Sequence, residues 1–527
     1  MNLKYNVDQI IVREGHIFGY GWGFVPGAII QSLSLRLEFD NGIVQHIDAQ
    51  YGLQRDDLIA TFANVSEAQN AGFLFIGTTQ ERRRMRATLR WTLKAGREFE
   101  TVLNMQSIPS IQTFSTRVNH YKVLVRKALA KLSGEGVRPL FSKVIRHLRS
   151  QPRRMSMDDV KQLKEKIQKQ SLYIIIDHDL GGGANIYRNK IIADLCSAGY
   201  SVLMIGFHVS KLQHFIEFFD GKTSLRYSLP HLNDVIRLIS AAEVRRIIYN
   251  CAVSFTNALE VPDILISLKL RTSAPLVFLI HDYFAICPSY FLLNADGDFC
   301  GVPEATVCNT CLNRHRDGFV SLAGSRDIEA WRSKWGMVLS ASDEIQVFSE
   351  ASNVLLRKAY PSLCGAKIKV VPHTPHTQLG PQTVVAGSGL HIGVVGTIGR
   401  HKGAAIIASL ASEIKQRDSA VRITVIGTLE SRAPHDIVRV TGPYKPELLA
   451  VEIEKSGANV FLFPSIWGET FSYTSHELVS MDLPYACFNL GAQADLARQY
   501  KKGLILDSMD ASDILDRLQE FYEYAYR

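Results

Sequence analysis

Two carboxylates eight residues apart, Glu469 and Glu477, stand in the segment Phe461-Leu-Phe-Pro-Ser-Ile-Trp-Gly-Glu-Thr-Phe-Ser-Tyr-Thr-Ser-His-Glu477. A carboxylate accepts two hydrogen bonds and can clamp the diol of a sugar, so one acid could hold a ribose and the other a hexose. The apolar run Phe461 to Phe463 predicts a short buried strand, Pro464 to Phe471 a loop, and Ser472 to Met481 a helix capped by Ser472. A helix N-terminus then falls between the two acids, and its free N–H groups and positive dipole end make a seat for a diphosphate. At a rise of about 1.5 Å per residue Glu477 stands roughly 8 Å from that seat, with Glu469 on its other side in the loop. Taken alone, a pair of acids at this spacing is common and reads first as solvated loop and helix carboxylates.

Other positions carry chemistry of the same kind. Gly181-Gly182-Gly183 follows an apolar strand and makes a turn of the size that admits a phosphate, or a tight turn with no ligand. A dinucleotide fingerprint is excluded, because its third glycine falls on Ile186 and the next strand ends Ile205-Gly-Phe-His208 with no acid for a ribose. Gly393-Val-Val-Gly-Thr-Ile-Gly-Arg-His-Lys402-Gly403 places Arg400 and Lys402 in a loop after another strand. His281, followed by Asp282, stands at the carboxyl end of the strand Leu276 to Ile280, where α/β sheets bind ligands. Cys287, Cys300, Cys308 and Cys311 have the spacing C-x12-C-x7-C-x2-C, which suits a closed structural zinc site or a set of buried free thiols.

With its Phe-Pro-Ser strand end, its aromatic Phe471, the helix and the following strand Pro484 to Phe488, the two-acid segment resembles the retaining glycosyltransferases of GT-B fold, family 4 type. The resemblance covers roughly residues 171 to 515. It implies that Glu469 contacts the transferred sugar of a nucleoside diphosphate sugar and that Glu477 binds its ribose. Phe471 and Ser472 would line the nucleotide site. Lys402 would neutralise the diphosphate as charge builds on the leaving group. The family's arginine position is Thr397 here, so Arg400 would supply the second charge. Gly182 and Gly183 would approach the diphosphate, and His281 would stand near the reacting sugar. Ser472 and Asp482 occupy positions where the family usually has glycine. No divalent ion is implied for catalysis, since no Asp-x-Asp motif flanks these segments. The acceptor would be a glycan or a lipid-linked glycan, plausibly in lipopolysaccharide O-antigen or capsule assembly.

The elements that position these residues fall into four parts. Residues 1 to 113 alternate β-formers with Gly, Asn and Asp turns and predict an antiparallel β-sandwich. Its aromatics Tyr20 and Trp22 could stack on sugars or pack a core, and Arg55 to Phe62 resembles β-domains found beside some bacterial glycosyltransferases. Residues 114 to 170 are expected to be a basic, helical linker. From Ser171 strand and helix patterns alternate, which predicts parallel α/β domains at 171 to 380, with the cysteine-rich insertion 287 to 311, and at 381 to 527. Strands are expected at Tyr173 to Ile176, Val202 to Ile205, Arg246 to Tyr249, Glu344 to Phe348, Lys367 to Val371, His391 to Val395, Arg422 to Ile426, Val460 to Phe463 and Tyr485 to Phe488. The fold class is α/β, two Rossmann-like domains in the GT-B arrangement behind a sandwich and a linker.

A chain of 527 residues with 46% hydrophobic residues can bury several cores. With no apolar run near 18 residues and a polar beginning, it is expected in the cytoplasm, where eight cysteines stay reduced. Between Arg117 and Gln170 there are 15 Lys or Arg and 4 Asp or Glu, a local balance of +11 that exceeds the +8 of the whole chain. Such a segment binds an anionic membrane surface, here the inner membrane, or is a solvated linker. No nucleic-acid motif accompanies it, so nucleic acid is not expected as a partner. Two rivals to sugar transfer are a GT-B sugar-nucleotide epimerase and a non-catalytic glycan- or membrane-binding protein.

Overall fold

Glycines on alternate positions of one strand decide how the N-terminal sandwich closes. Strands β1 (Lys4–Arg13), β2 (His16–Phe24), β3 (Ile30–Phe39), β4 (Val44–Asp48), β5 (Gln50–Leu53), β6 (Gly72–Thr78), β7 (Met85–Leu93) and β8 (Glu98–Leu103) form two antiparallel sheets, ordered β1-β2-β6-β5 and β4-β3-β7-β8. Side chains of alternate residues meet between the sheets, among them Leu33, Leu35, Leu37, Phe73, Phe75, Leu89 and Trp91. A side-chain carbon at Gly19, Gly21 or Gly23 of β2 would collide with the rings of Phe75, Phe73 and Trp91 respectively, so these glycines make room for the large core rings. Trp22 packs on Phe24 and Phe62, with ring centroids 6.0 and 5.7 Å apart, which gives it a packing role.

The chain is described here from a computed structural model that covers residues 2–103 and 153–526, apart from 14, 54, 56–57, 59–60, 63–64, 80–84, 316, 364, 375–378, 383–388 and 432. The first part of the basic linker, the two acids after Arg55 and most of the irregular stretch 376 to 388 lie outside the described residues. Two compact units are formed, Met1–Val277 with His315–Arg326, and Phe278–Arg314 with Asp327–Arg527.

In the first unit the sandwich is followed by β9 (Arg153–Arg154), helix α1 (Met157–Gln168) and strands β10 (Leu172–Ile176), β11 (Ser201–His208), β12 (Gln213–Phe219), β13 (Ser224–Leu229) and β14 (Val244–Tyr249). Ser156 and Asp159 close a capping box on α1, so the described end of the linker is helical as expected. The order β14-β10-β11-β12-β13-β9 is parallel from β14 to β11, but β12 and β13 are an antiparallel hairpin. That corrects the expectation of a wholly parallel sheet. The hairpin turns at Asp220-Gly221, where Gly221 has φ +78° and the Asp220 carboxylate accepts from the Thr223 N–H. Helices α2 (Gly183–Ser197) and α3 (Glu260–Thr272) supply the crossovers.

Strand β15 (Leu276–Ile280) runs across the boundary into the second unit, which begins with helices α4 (Ala305–Arg314), α5 (Ile328–Ala341) and α6 (Glu350–Ala359) and the parallel pair β16 (Glu344–Val347) and β17 (Ile368–Val370). Its main sheet is β18 (His391–Ile398), β19 (Arg422–Leu429), β20 (Val438–Val440), β21 (Val460–Phe463), β22 (Tyr485–Phe488) and β23 (Gly503–Leu506). All pairs are parallel and the order is β20-β19-β18-β21-β22-β23, the doubly wound Rossmann order. Helices α7 (Ala404–Gln416), α8 (Leu449–Ser456), α9 (Tyr473–Ser480), α10 (Gly491–Gln499) and α11 (Ala511–Tyr526) cover its two faces over two separate apolar cores. Strand order reverses between β18 and β21, and the loops after these two strands carry Lys402 and Glu469.

Candidate active site

An open α/β sheet binds its ligand at the carboxyl ends of its strands where the order reverses. Here that crevice lies between the loop 399–403, after β18, and the loop 464–472, after β21. A side-chain carbon at Gly403, whose φ is +81°, would collide with the Pro464 carbonyl, so the glycine after Lys402 lets the two loops touch. The Ile466 N–H donates to the His401 carbonyl at 3.2 Å and fastens them. Lys402 Nζ then stands 3.6 Å from Glu469 Oε1.

Glu469 is only 6% exposed. Its Oε1 accepts from Ser465 Oγ at 3.4 Å, and its backbone N–H donates to Oε1 of the fully buried Gln493 at 3.1 Å. Gln493 also donates from Nε2 to the Trp467 carbonyl at 2.8 Å, so a neutral side chain on α10 fixes both sides of the acid. Thr470 Oγ1 donates to the His281 carbonyl at 2.7 Å and ties the loop to the end of β15.

The predicted helix is present as α9, and Ser472 caps it by accepting the Ser475 N–H at 3.4 Å. Glu477 stands in the middle of α9 and is half-buried; burial pushes its carboxyl up to about 7, and the positive charge of Lys402 pulls it back in part. Lys402 thus acts on both acids, 33% exposed at its side chain and open to a ligand. Phe471 is buried and stacks on His476 with centroids 4.2 Å apart, which closes the apolar side of the helix start. Asp482 has φ +57°, the left-handed conformation a glycine adopts freely, and is held there by Lys502 at 2.6 Å and the Tyr500 hydroxyl at 3.2 Å. The chain therefore reaches the backbone path of a glycine with an anchored acid.

The remaining predicted residues are placed as follows. His281 packs against two aromatic rings, 4.6 Å from Phe348 and 5.2 Å from His373, and Asp282 accepts the Phe284 N–H at 2.8 Å. The Nη2 of Arg400 lies beside Gly297 of the cysteine-rich insertion, and its backbone N–H donates to Glu430 at 2.9 Å. Among the described residues Lys402 alone forms an ion pair with Glu469. Gly182 and Gly183 lie in the first unit at the start of α2, where Gly181 and Gly182 have φ +87° and +86° and open space beside both.

The cysteine-rich insertion meets the same loops. Phe291 stacks on His401 at 4.2 Å and meets Trp467 at a tilt, 4.6 Å between centroids, and Phe299 lies against Gly468. Burial and the neighbouring Lys402 push the His401 imidazole down to about 4, so it is neutral near pH 7. Burial pushes the Cys287 thiol up, and the nearby Cys300, Cys308 and Cys311 add to the rise. Backbone N–H groups of Ser289, Val302 and Ala295 point at three of the sulfurs. No three of these sulfurs are drawn together within 4.8 Å, a distance that Asp177, His178 and Cys251 do meet. None of the four is in a disulfide, and their spacing suits either a structural zinc site or a set of buried free thiols.

Sequence reasoning missed Gln493, Ser465, Thr470, Trp467 and His401. Each acts through a contact with a distant segment, and neutral side chains of this kind carry no local signal. No curated protein matches the sequence significantly. Among solved structures, Anabaena HepE in complex with UDP and glucose is 12% identical over 67% of this chain and 90% of its own, with a TM-score of 0.41. A glycosyltransferase from Rickettsia africae is 13% identical over 68% and 92%, also at 0.41, and Acinetobacter baumannii MurG is 13% identical over 68% and 94%, at 0.34. Residues 389–523, which hold Lys402, Glu469 and Glu477, match the family model described as glycosyl transferases group 1, and the second unit therefore carries a domain of that group.

Proposed function

We propose that the chain transfers a hexose from a nucleoside diphosphate sugar to a glycan or lipid-linked acceptor, with retention of anomeric configuration, in a GT-B enzyme of family 4 type. The observation that carries this reading is Lys402 acting on both Glu469 and Glu477 at the sheet's switch point, inside the group 1 domain. The diphosphate binds at the start of α9, where N–H groups and the Lys402 ammonium stabilise the charge that develops as the glycosidic bond to phosphate breaks. Glu477 accepts the ribose hydroxyls and Glu469 those of the transferred sugar. The leaving diphosphate takes the acceptor proton, which suits a site with phosphate ligands and no dedicated base. His281, through its position at the end of β15, orders the loop beside the reacting sugar. Gly182 and Gly183 bind the donor diphosphate through the backbone, with open space beside Gly182. Arg400, two residues before Lys402 in the same loop, supplies the second positive charge for the diphosphate.

The finer readings follow from the same chemistry. Assembly of O-antigen or capsule at the inner face of a membrane is the pathway proposed, with the basic segment Arg117 to Gln170 attracted to anionic lipid. No helix among the described residues is long and apolar enough to cross a membrane. The four insertion cysteines are proposed to close on a structural zinc ion, since amide N–H groups already point at their sulfurs.

The test is a thermal-shift screen of UDP, GDP, ADP and CMP sugars, followed by transfer assays with the sugar that binds. A ligand at 100 times its dissociation constant stabilises by about 2.7 kcal/mol. Transfer to a glycan or lipid-linked acceptor with the anomeric configuration kept supports the reading. Donor hydrolysis with no transfer would turn it to a sugar-nucleotide epimerase, and no binding of any nucleotide sugar to a non-catalytic protein.

A further inference from the structure

A second convergence of polar groups lies in the first unit, at the carboxyl ends of two paired strands. Asp177 and His178 follow β10, Cys251 follows β14, and the last residues of these strands, Ile176 and Tyr249, are partners in register. One donor atom from each of the three side chains lies within 4.8 Å of the others, and all three residues are buried. Asp177 has no exposed surface. Its Oδ2 accepts from Asn185 Nδ2 and Arg188 Nη1, both at 2.8 Å, whereas its Oδ1 is buried with no hydrogen-bond partner. Oδ1 of Asn250, next to Cys251 in the chain, is likewise buried with no partner. Folding strips water from such oxygens at the full desolvation cost unless something takes their lone pairs.

We propose that Asp177, His178 and Cys251 are the ligands of a structural divalent metal ion of the zinc class. A carboxylate oxygen, an imidazole nitrogen and a sulfur make a mixed set that suits Zn2+ or Co2+, while Mg2+ and Ca2+ avoid sulfur. On binding, the Cys251 thiol releases its proton to solvent, and the thiolate and carboxylate together leave one net positive charge on the ion and Arg188. Arg188 remains on the far oxygen of Asp177. The His178 Nδ1 lone pair now accepts the Leu180 N–H at 3.1 Å, and the ion takes that lone pair in place of the amide. Three protein ligands leave a fourth position for water. The ion fastens the ends of β10 and β14 and the start of the turn Gly181–Gly183, a role independent of any sugar transfer.

The test uses the full chain, stripped with a chelator and titrated with Co2+, reading equivalents bound and thiolate-to-cobalt absorption. Native protein, Cys251→Ser, His178→Gln and Cys308→Ser are compared, the last to separate any metal on the insertion cysteines. Cys251→Ser and His178→Gln should each bind one equivalent fewer than the native chain, and Cys308→Ser should keep the absorption that Cys251→Ser loses. The proposal is overturned if folded Cys251→Ser binds as many equivalents as the native chain, or if the native chain binds none. Should Cys251→Ser fail to fold, an unchanged count in His178→Gln overturns it in the same way.

Discussion

Replacing Glu477 by Gln should stabilise the protein in alkaline solution and leave it unchanged in acid. Burial raises the Glu477 carboxyl from its ordinary 4.5 to about 7, and Lys402 limits the rise. Between about pH 4.5 and about pH 7 the folded chain keeps a proton that the unfolded chain has lost. Stability therefore falls as pH rises through that window, and above it the whole penalty stands. At about 1.4 kcal/mol per pH unit, the separation of the two values amounts to about 3 kcal/mol. Glu477→Gln keeps the shape and removes the charge, so its gain over the native chain should approach about 3 kcal/mol near pH 8 and vanish near pH 4. Urea unfolding of both proteins at the two pH values measures the difference. A gain independent of pH would refute the burial argument. The same proton affects the ligand, because the ionised carboxylate accepts the diol. Nucleoside diphosphate affinity should therefore rise by up to about tenfold per pH unit until pH 7 is reached. Lys402→Met removes the charge that lowers this acid and should move the rise to higher pH.

Gly403→Ala places a side chain at φ +81° against the Pro464 carbonyl, and we expect a loss of about 2 kcal/mol or more by thermal unfolding with weakened nucleotide binding. The cysteine-rich insertion should retain about one zinc per chain in elemental analysis, lost in Cys311→Ser; native protein in which Cys311→Ser changes neither metal content nor melting temperature would leave the thiols as packing groups. Anionic liposomes should sediment the native chain at low salt and release it near 1 M, where screening shortens to about 3 Å. A chain with Arg146, Arg149, Arg153 and Arg154 changed to Ser should bind less, and a native chain that never pellets would leave the basic segment a solvated linker.

The second unit was largely legible because its strands are apolar runs bounded by turn residues. Leu276 to Ile280, Val460 to Phe463 and Tyr485 to Phe488 are strands with the expected ends, and Ser472 caps the expected helix. The hairpin Gln213–Phe219 and Ser224–Leu229 was not read, because both strands carry charged and polar residues on the face away from the core and the expected alternation of strand and helix leaves no place for them. Lys402 was legible through its glycine neighbour, whereas the direction of Arg400 depends on Gly297, about a hundred residues earlier in the chain. Gln493 and Thr470 escape for a related reason: their partners are Trp467, Glu469 and His281, chosen by the fold and by no local pattern. The packing reading for Trp22 rests on Phe24 and Phe62, which lie against its ring, Phe62 from a distant part of the chain and in no local pattern.

The division of labour between the two acids is tested most directly by calorimetry of free nucleoside diphosphate on Glu477→Ala and Glu469→Ala, with transfer rates measured on the same samples. Losing a charged hydrogen bond costs about 1.5 to 3 kcal/mol, so Glu477→Ala should weaken nucleotide binding by about tenfold to a hundredfold. Glu469→Ala should keep nucleotide affinity near the native value and lose transfer. Native affinity and native transfer in both variants would contradict the assignment of this crevice as the donor site.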